Sequence, residues 1–389
     1  MTGGGSGGHI TPILAVAHEL KQRHPDTQII YIGQRGDAFG KIVAASNLID
    51  ETHSVSAGKF RRYHGEGLRQ LLDIRTFALN VRDSFRVVAG LWQSYRLLSQ
   101  LQPDIIFCKG GFVGVPVGLA AAYLHIPYVT HDSDAIPGLA NRIIARWATK
   151  HTVALDPSLY PYPPAKTTNV GVPVAPLYQE VDAVGQARLR TEVGLADYTE
   201  VVLVTGGGLG AARLNHAAVK SAPELLRRFP HLAIVHTTGK QHETVVSEAY
   251  DASLQPAERR RVIVLGYTTE LYKYSGAADV VVARGGATNL AELATQAKAC
   301  IIIPNPLLTG GHQLKNALAY EQEGAIISID ENKLRDNHEL LLSAIERLLD
   351  NPKLRDQFGK QLHTFAREGS AKILADLLLE LGGDKRGVV

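Results

Sequence analysis

Two doubly wound α/β domains, each a parallel sheet with helices on both faces, are predicted by three features of this 389-residue sequence. Short apolar runs alternate with helical stretches along the chain, which is the pattern of repeated βα units. The text Thr-Gly-Gly-Gly-x-Gly occurs twice, at Thr2–Gly7 and again at Thr205–Gly210. The second copy lies between the β-branched run Glu200–Val204 and a helical stretch over Ala211–Leu226. Glycines let a backbone turn sharply and approach a ligand closely. A helix start then offers free N–H groups and the positive end of its dipole, which suits a phosphate. Two copies one domain length apart imply two similar units, each with a ligand loop at the carboxyl edge of its sheet.

The composition is that of an ordinary globular protein, 45% hydrophobic and 20% charged, and long enough for two domains. A net charge of +3 is too small to argue for nucleic acid, and no nucleic-acid partner is expected. Cys108 and Cys300 both sit in apolar runs, so buried free thiols in a reducing compartment are expected rather than a disulfide. No apolar run approaches the length of a membrane span and no signal peptide is visible. A cytoplasmic location follows, compatible with contact at a membrane surface.

The first glycine loop has a single residue ahead of it. A doubly wound domain normally places a strand there. The first half-sheet is therefore expected to lack its central strand, which a truncated or misassigned N-terminus would explain. Thr11–Arg23 reads as a helix burying Ile13, Leu14, Val16, Ala17 and Leu20, with Pro12 in a first turn where a missing N–H costs nothing. Gln28–Gly33 is the next strand, and Lys59–His64 is a basic and aromatic loop. A long amphipathic helix follows, carrying Phe77, Val81, Phe85, Val88, Leu91, Trp92 and Tyr95 in one stripe. Such a stripe is expected to be core packing; the alternative is a membrane-surface face beside the basic loop.

Pro103–Lys109 is a strand entering the glycine turn Gly110–Gly114, and the strand Ile126–Thr130 leads into His131-Asp132-Ser133-Asp134. The alternation continues to Thr152–Leu155. Tyr160–Pro164 is proline-rich and expected to be structureless, and Asn169–Val174 closes the first domain. The domains are accordingly placed at 1–170 and 171–365, with 366–389 a helix and tail packing back on the first. Strands of the second domain include Leu232–His236, Arg261–Leu265, Asp279–Ala283 and Cys300–Ile303.

Several residues carry chemistry at these loops. His9 closes the first glycine loop and opens a helix, whose dipole would lower its pKa; a neutral histidine near pH 7 suits a general base. Arg284–Glu292 follows a buried strand and offers a cation, a glycine turn and a carboxylate, Glu292, placed to accept the hydroxyls of a ribose. Polar side chains in the loop Asn305–Ala317 could read sugar hydroxyls. Asp132-Ser133-Asp134 has the spacing by which two carboxylates hold a divalent cation on a nucleotide diphosphate.

The sequence resembles the MurG family of UDP-N-acetylglucosamine transferases, which make lipid II in peptidoglycan synthesis. The matching text is GGGSGGHITPILAVA from Gly3, KGGFVGVPVGLAAA from Lys109 and HDSDAIPGLANRIIA from His131, then GGGLGAARLN from Gly206, RGGATNLAEL from Arg284 and HQLKNA from His312. These segments span nearly the whole chain in one order. The resemblance implies a GT-B fold, two Rossmann-like domains facing a cleft, the first taking a lipid-linked acceptor and the second a UDP-sugar. It implies inversion at the anomeric carbon, no metal and no cofactor.

Carried over position by position, the resemblance puts His9 in the place of the proposed base. Ser6, Gly7 and Gly8 match the loop on the acceptor side and are counted among the donor contacts as well. Gly207, Gly208, Leu209 and Gly210 match the loop beside the donor diphosphate. Tyr267 and Thr268 match the segment whose backbone holds uracil, Arg284, Ala287 and Thr288 the donor loop, and Glu292 the ribose acid. His312 and Gln313 match a pair contacting the GlcNAc hydroxyls. Gly111, Phe112, His131, Asp134 and Asn141 are implied acceptor contacts.

There are departures. Gly208-Leu209 stands where the family usually has Ser-Gln, which removes one hydroxyl contact to phosphate. His131-Asp132-Ser133-Asp134 replaces His-Glu-x-Asn, Ala175 stands for an Arg, and His312-Gln313 replaces Gln-Gln. Because the surrounding text belongs to this family, the two aspartates at 132 and 134 read as incidental rather than as a metal site. The expected activity is transfer of GlcNAc from UDP-GlcNAc to lipid I at the inner face of the cytoplasmic membrane. The alternatives are a related transferase using another UDP-sugar or acceptor, a UDP-sugar epimerase of similar architecture, and a degenerate nucleotide-sugar binding protein.

Overall fold

The computed structural model describes residues 1–5, 7–36, 39–58, 74–208, 210–306 and 311–383, with the backbone alone at 39, 41, 42, 74–81 and 336. The chain forms two compact units. One comprises Met1–Pro176 with Leu307–His312 and Arg367–Val389; the other comprises Leu177–Pro306 and Gln313–Ala366.

In the first unit the strands are β1 (Ile30–Gln34), β2 (Glu51–Val55), β3 (Ile106–Cys108), β4 (Tyr128–Asp132), β5 (Lys150–Val153) and β6 (Thr167–Asn169). β1 pairs with β2, and β3 to β6 pair in sequence, all parallel. The central strand position is occupied. Thr2 bridges both Ile32 and Cys108, and the Ile32 N–H donates to the Met1 carbonyl at 2.9 Å. Met1–Thr2 therefore fill the strand position between β1 and β3 as a two-residue stub. The helix after the first glycine loop starts at Gly7, ahead of the expected Thr11, so Pro12 lies inside it rather than in its first turn. Ile10, Ile13, Val16 and Leu20 of this helix bury against Ala371, Leu374, Ala375 and Leu378 of the C-terminal helix Ser370–Gly383.

Two sequence expectations for this unit are corrected. The stripe on the helix Ile74–Leu101 is not core: Phe85, Val88, Leu91, Trp92 and Tyr95 are all exposed. The buried face is the opposite one, with Asp83, Gly90, Ser94 and Leu98. Gly90 is needed there, because a Cβ would meet the Ser56 carbonyl oxygen at 1.9 Å. The side chains of Phe77 and Val81 and the whole of Lys59–His64 lie outside the described residues. Tyr160–Pro164, expected to be structureless, is instead an anchor. Both tyrosines are buried, and Tyr162 stacks on His151 with ring centroids 4.1 Å apart.

The second unit is one parallel sheet of β7 (Glu200–Thr205), β8 (Leu232–Thr237), β9 (Val262–Leu265), β10 (Val280–Ala283), β11 (Ala299–Ile302) and β12 (Ile327–Ser328). Its order, β12-β11-β10-β7-β8-β9, reverses between β7 and β10, the topological switch point where α/β sheets bind ligands. Apolar side chains cover both faces, with Val202, Val204, Val280 and Ile301 on one and Val201, Leu203, Val281 and Ile302 on the other. That accounts for the unbroken apolar runs in the sequence.

Candidate active site

The first unit gathers its polar groups beside the Met1–Thr2 stub. Two glycine loops lie back to back there. Gly111 has φ +79°, and a Cβ on it would sit 2.4 Å from the Gly4 carbonyl oxygen. Gly3 stands against Lys109, with a Cβ 3.2 Å from the lysine Cβ, and its carbonyl accepts from the Tyr31 hydroxyl at 2.5 Å. Phe112 packs over Gly5. Gly7 and Gly8 are the first residues of the following helix; Ser6 lies outside the described residues.

His9 is half-buried in that first turn and bonds to the Gly4 backbone. Burial pushes its pKa down to about 4, helped by the Lys109 ammonium and opposed by Asp134. The shift has the direction expected from the sequence, but burial and a cation drive it. Lys109, at the end of β3, is itself buried, which lowers its pKa to about 8 against the pull of Asp134 and Asp132.

The acid loop after β4 is held from behind. The Tyr162 hydroxyl donates to Asp132 Oδ2 at 2.7 Å and the Gly138 N–H to Oδ1 at 3.0 Å, while Tyr160 donates to the Asp134 carbonyl at 2.8 Å. Both Asp132 oxygens are thus engaged inside the unit. Asp134 is partly exposed, 3.4 Å from His312 Nδ1, a residue grouped with this unit. Among the described residues no three His, Cys, Asp or Glu side chains cluster as metal ligands would.

His131 does not face a ligand. It is fully buried, with Nδ1 3.1 Å from Thr152 Oγ1 and Nε2 3.2 Å from Ser133 Oγ, and burial holds its pKa well below the usual value. Asn141 is buried against Gly110 and donates to the His131 carbonyl at 2.9 Å, so both residues brace the loop from inside.

In the second unit the loops after β7 and β10 flank the switch point. Gly210 has φ +74° and no room for a Cβ, which would lie 2.1 Å from the Thr238 carbonyl oxygen. Gly207 and Gly208, by contrast, face open space, with no other atom within 4 Å of a Cβ position. The helix Ala212–Arg228 follows without a side-chain cap. Its first turns are fixed by Asn215, which donates to the Thr238 carbonyl at 3.0 Å and meets His236 Nε2 at 3.1 Å; His236 in turn contacts the Tyr250 hydroxyl at 2.9 Å. Leu209 lies outside the described residues.

Glu292, in the second turn of the helix Ala287–Thr295, is hydrogen-bonded to the Tyr178 hydroxyl. Burial pushes its carboxyl pKa up to about 8. Tyr178 also senses Tyr267, which is half exposed and has the Lys240 ammonium 5.2 Å from its ring centroid. Thr268 follows, its hydroxyl accepting from the Glu270 N–H at 3.0 Å. Ala287 and Thr288 open the helix that carries Glu292. Gln313 packs its backbone on Gly285 and accepts from the Asn305 N–H at 2.8 Å.

Arg284 departs from the expected role of an added cation. Its guanidinium donates to the Ile303 carbonyl at 3.0 Å and pairs with buried Glu331, which also faces Arg213 at 3.7 Å. Its charge is therefore spent within the fold. Sequence reasoning missed Lys109, Tyr162, Tyr178 and Lys240. Only Lys109 had a local signal, a cation ending an apolar run directly before two glycines.

Comparison with known proteins finds relatives over most of the chain. The glycosyltransferase family 28 N-terminal domain matches residues 1–153, and the family 28 C-terminal domain matches residues 201–373. The chain is 30% identical over 382 residues, 98% of each chain, to a protein of Bacillus pumilus (strain SAFR-032) named UDP-N-acetylglucosamine--N-acetylmuramyl-(pentapeptide) pyrophosphoryl-undecaprenol N-acetylglucosamine transferase. Among solved structures, Acinetobacter baumannii MurG superposes with a TM-score of 0.71 at 24% identity, covering 98% of both chains. A putative UDP-N-acetylglucosamine 2-epimerase from Listeria monocytogenes superposes at 0.64 with 13% identity, over 97% of this chain and 95% of that one. Both superpositions establish the two-domain fold.

Proposed function

The chain belongs to glycosyltransferase family 28, and from that membership we propose that it transfers GlcNAc from UDP-GlcNAc to lipid I, giving lipid II and UDP. The observation that carries this reading is the 30% identity to a transferase of that name over 98% of both chains. The shared fold alone would leave an epimerase equally admissible.

The second unit takes the donor. Gly207 and Gly208 leave room for a diphosphate beside the start of the helix Ala212–Arg228, whose free N–H groups meet the charge that develops on departing UDP. Glu292 takes the ribose, Tyr267 and Thr268 the base, and Gln313 the sugar. The first unit takes the acceptor. His9, unprotonated at neutral pH, accepts the proton of the acceptor hydroxyl as its oxygen bonds to C1 of GlcNAc and the bond from C1 to the β-phosphate breaks. One displacement inverts the anomeric carbon, and no step requires a metal.

Among the described residues no helix is long and apolar enough to cross a membrane. We place the protein peripherally on the inner face of the cytoplasmic membrane, through the exposed face of Phe85, Val88, Trp92 and Tyr95 with Arg82, Arg86 and Arg96 beside it. Release of UDP in the presence of purified lipid I, compared with other lipid and polysaccharide acceptors, tests the assignment. Preference for lipid I is expected; equal release with any acceptor, or conversion of UDP-GlcNAc without acceptor, would contradict it.

A further inference from the structure

Tyr178 stands in the segment that enters the second unit, ahead of the helix Ala183–Glu192, and its hydroxyl is hydrogen-bonded to the Glu292 carboxyl. Both partners are half-buried. The contact is framed from two sides. The Tyr178 ring packs edge-on against Tyr272, with ring centroids 6.1 Å apart and planes at 69°. Tyr272 belongs to the helix Leu271–Ala277, and that helix is tied to Gln296, the residue directly after the helix that carries Glu292. Gln296 Nε2 donates to the Tyr272 carbonyl at 2.8 Å, and the Ser275 hydroxyl donates to Gln296 Oε1 at 2.6 Å. Gln296 and Ser275 are both buried, so the tie lies inside the fold. Ring and carboxyl are therefore held relative to one another by a closed frame, which two surface side chains meeting by chance would lack.

A glutamate side chain ends in a broad, roughly two-fold torsion, so a carboxyl with no partner turns easily. A hydroxyl donating to one of its oxygens stops that rotation and favours the ionised form. An ionised carboxylate has about four lone-pair sites. Tyr178 takes one, and those left suffice for the two hydroxyls of a cis-diol. We infer that Tyr178 is a positioning residue, which orients Glu292 toward the ribose diol and so sets the preference of the donor unit for ribonucleotides. This rests on the glycosyltransferase reading for the nucleotide and for Glu292 as its ribose contact; the Tyr178–Glu292 contact rests on the structure alone. Tyr178 meets no reacting atom, and its effect reaches the donor through the carboxylate.

The test compares UDP with dideoxy-UDP, which lacks both ribose hydroxyls, on the full chain. Calorimetry is run at about pH 9, where Glu292 is ionised. In Tyr178→Phe the Kd for UDP should rise about five- to tenfold, the loss of about one net hydrogen bond, while the Kd for dideoxy-UDP changes by less than about twofold. Retained binding of dideoxy-UDP also reports that the variant is folded; if Tyr178→Phe binds neither nucleotide, Tyr178→Met is measured and read the same way. In a Glu292→Ala background the tyrosine change should add no further loss, because its effect passes through that carboxylate. In turnover the donor KM should rise by the same factor with kcat held. A tyrosine variant that binds UDP as the native protein does, or that weakens both nucleotides by the same factor, would overturn the inference. A native chain that shows the expected pattern yet transfers no GlcNAc to lipid I overturns the glycosyltransferase reading and leaves the ribose preference standing.

Discussion

His9 and Glu292 are the residues whose environments most alter their chemistry. His9, with a pKa near 4, is neutral at physiological pH, and His9→Ala should slow kcat by about 10²–10⁴-fold with donor affinity intact. Stopped-flow measurement of the chemical step checks this; a change below about threefold, with weakened substrate binding, would make it a positioning residue. Glu292 works in the other direction. Its carboxyl is mostly protonated at pH 7 in the free protein, and a carboxylate accepts ribose hydroxyls more strongly than a neutral acid. UDP affinity should therefore improve as pH rises through about 8, and Glu292→Gln should abolish that dependence. A native profile flat from pH 7 to about 9 would count against the ribose role.

At the scale of elements, the loop after β4 owes its position to Tyr160 and Tyr162. Tyr162→Phe leaves buried Asp132 short of one partner, and should cost about 1–3 kcal/mol in denaturant unfolding. Unaltered stability would show that the hydroxyl is dispensable. The helix Ile74–Leu101 presents an exposed apolar face, and replacing Phe85 and Trp92 by Asp should weaken binding to anionic vesicles without changing turnover of soluble substrate analogues. Equal flotation of native and variant protein would remove this face from the membrane contact.

These elements also mark where the sequence stops being legible. The glycine loops, the βα alternation and the helix carrying Glu292 were readable, because each depends on residues adjacent in the chain. The role of Tyr162 was not, since the register of β4 and β5 brings it to Asp132 from thirty residues away. β2 was missed because its residues, Glu51–Val55, are mostly exposed and polar. The stripe on Ile74–Leu101 was visible, but amphipathicity does not say which face is covered. Here Asp83 and Ser94 turn inward beside Gly90, the two polar residues against their usual preference.

For the molecule as a whole, four histidines are held neutral by burial. His9 and His151 are pushed down to about 4, His236 to about 3, and His131 well below its usual value. Their contribution to stability is complete above the unfolded value near 6.5 and is lost as pH falls from there through the folded values. Glu292 and Asp132, both raised, oppose this, their contribution fading as pH rises; for Glu292 that spans about 4.5 to about 8. With four groups against two, Tm should fall steadily between about pH 6.5 and 4. A constant Tm over that interval would contradict the burial of these imidazoles.

The whole-molecule claim is that one unit binds UDP-GlcNAc and the other supplies the base for its transfer to a lipid-linked acceptor. The most direct measurement follows label from UDP-GlcNAc radiolabelled in the sugar, in the presence of purified lipid I, through native protein and His9→Ala. The account predicts label in lipid II with native protein, one UDP released for each sugar transferred, and strong suppression in the variant with donor binding retained. Label that stays with the nucleotide, or appears as an epimerised sugar without lipid I, would contradict it.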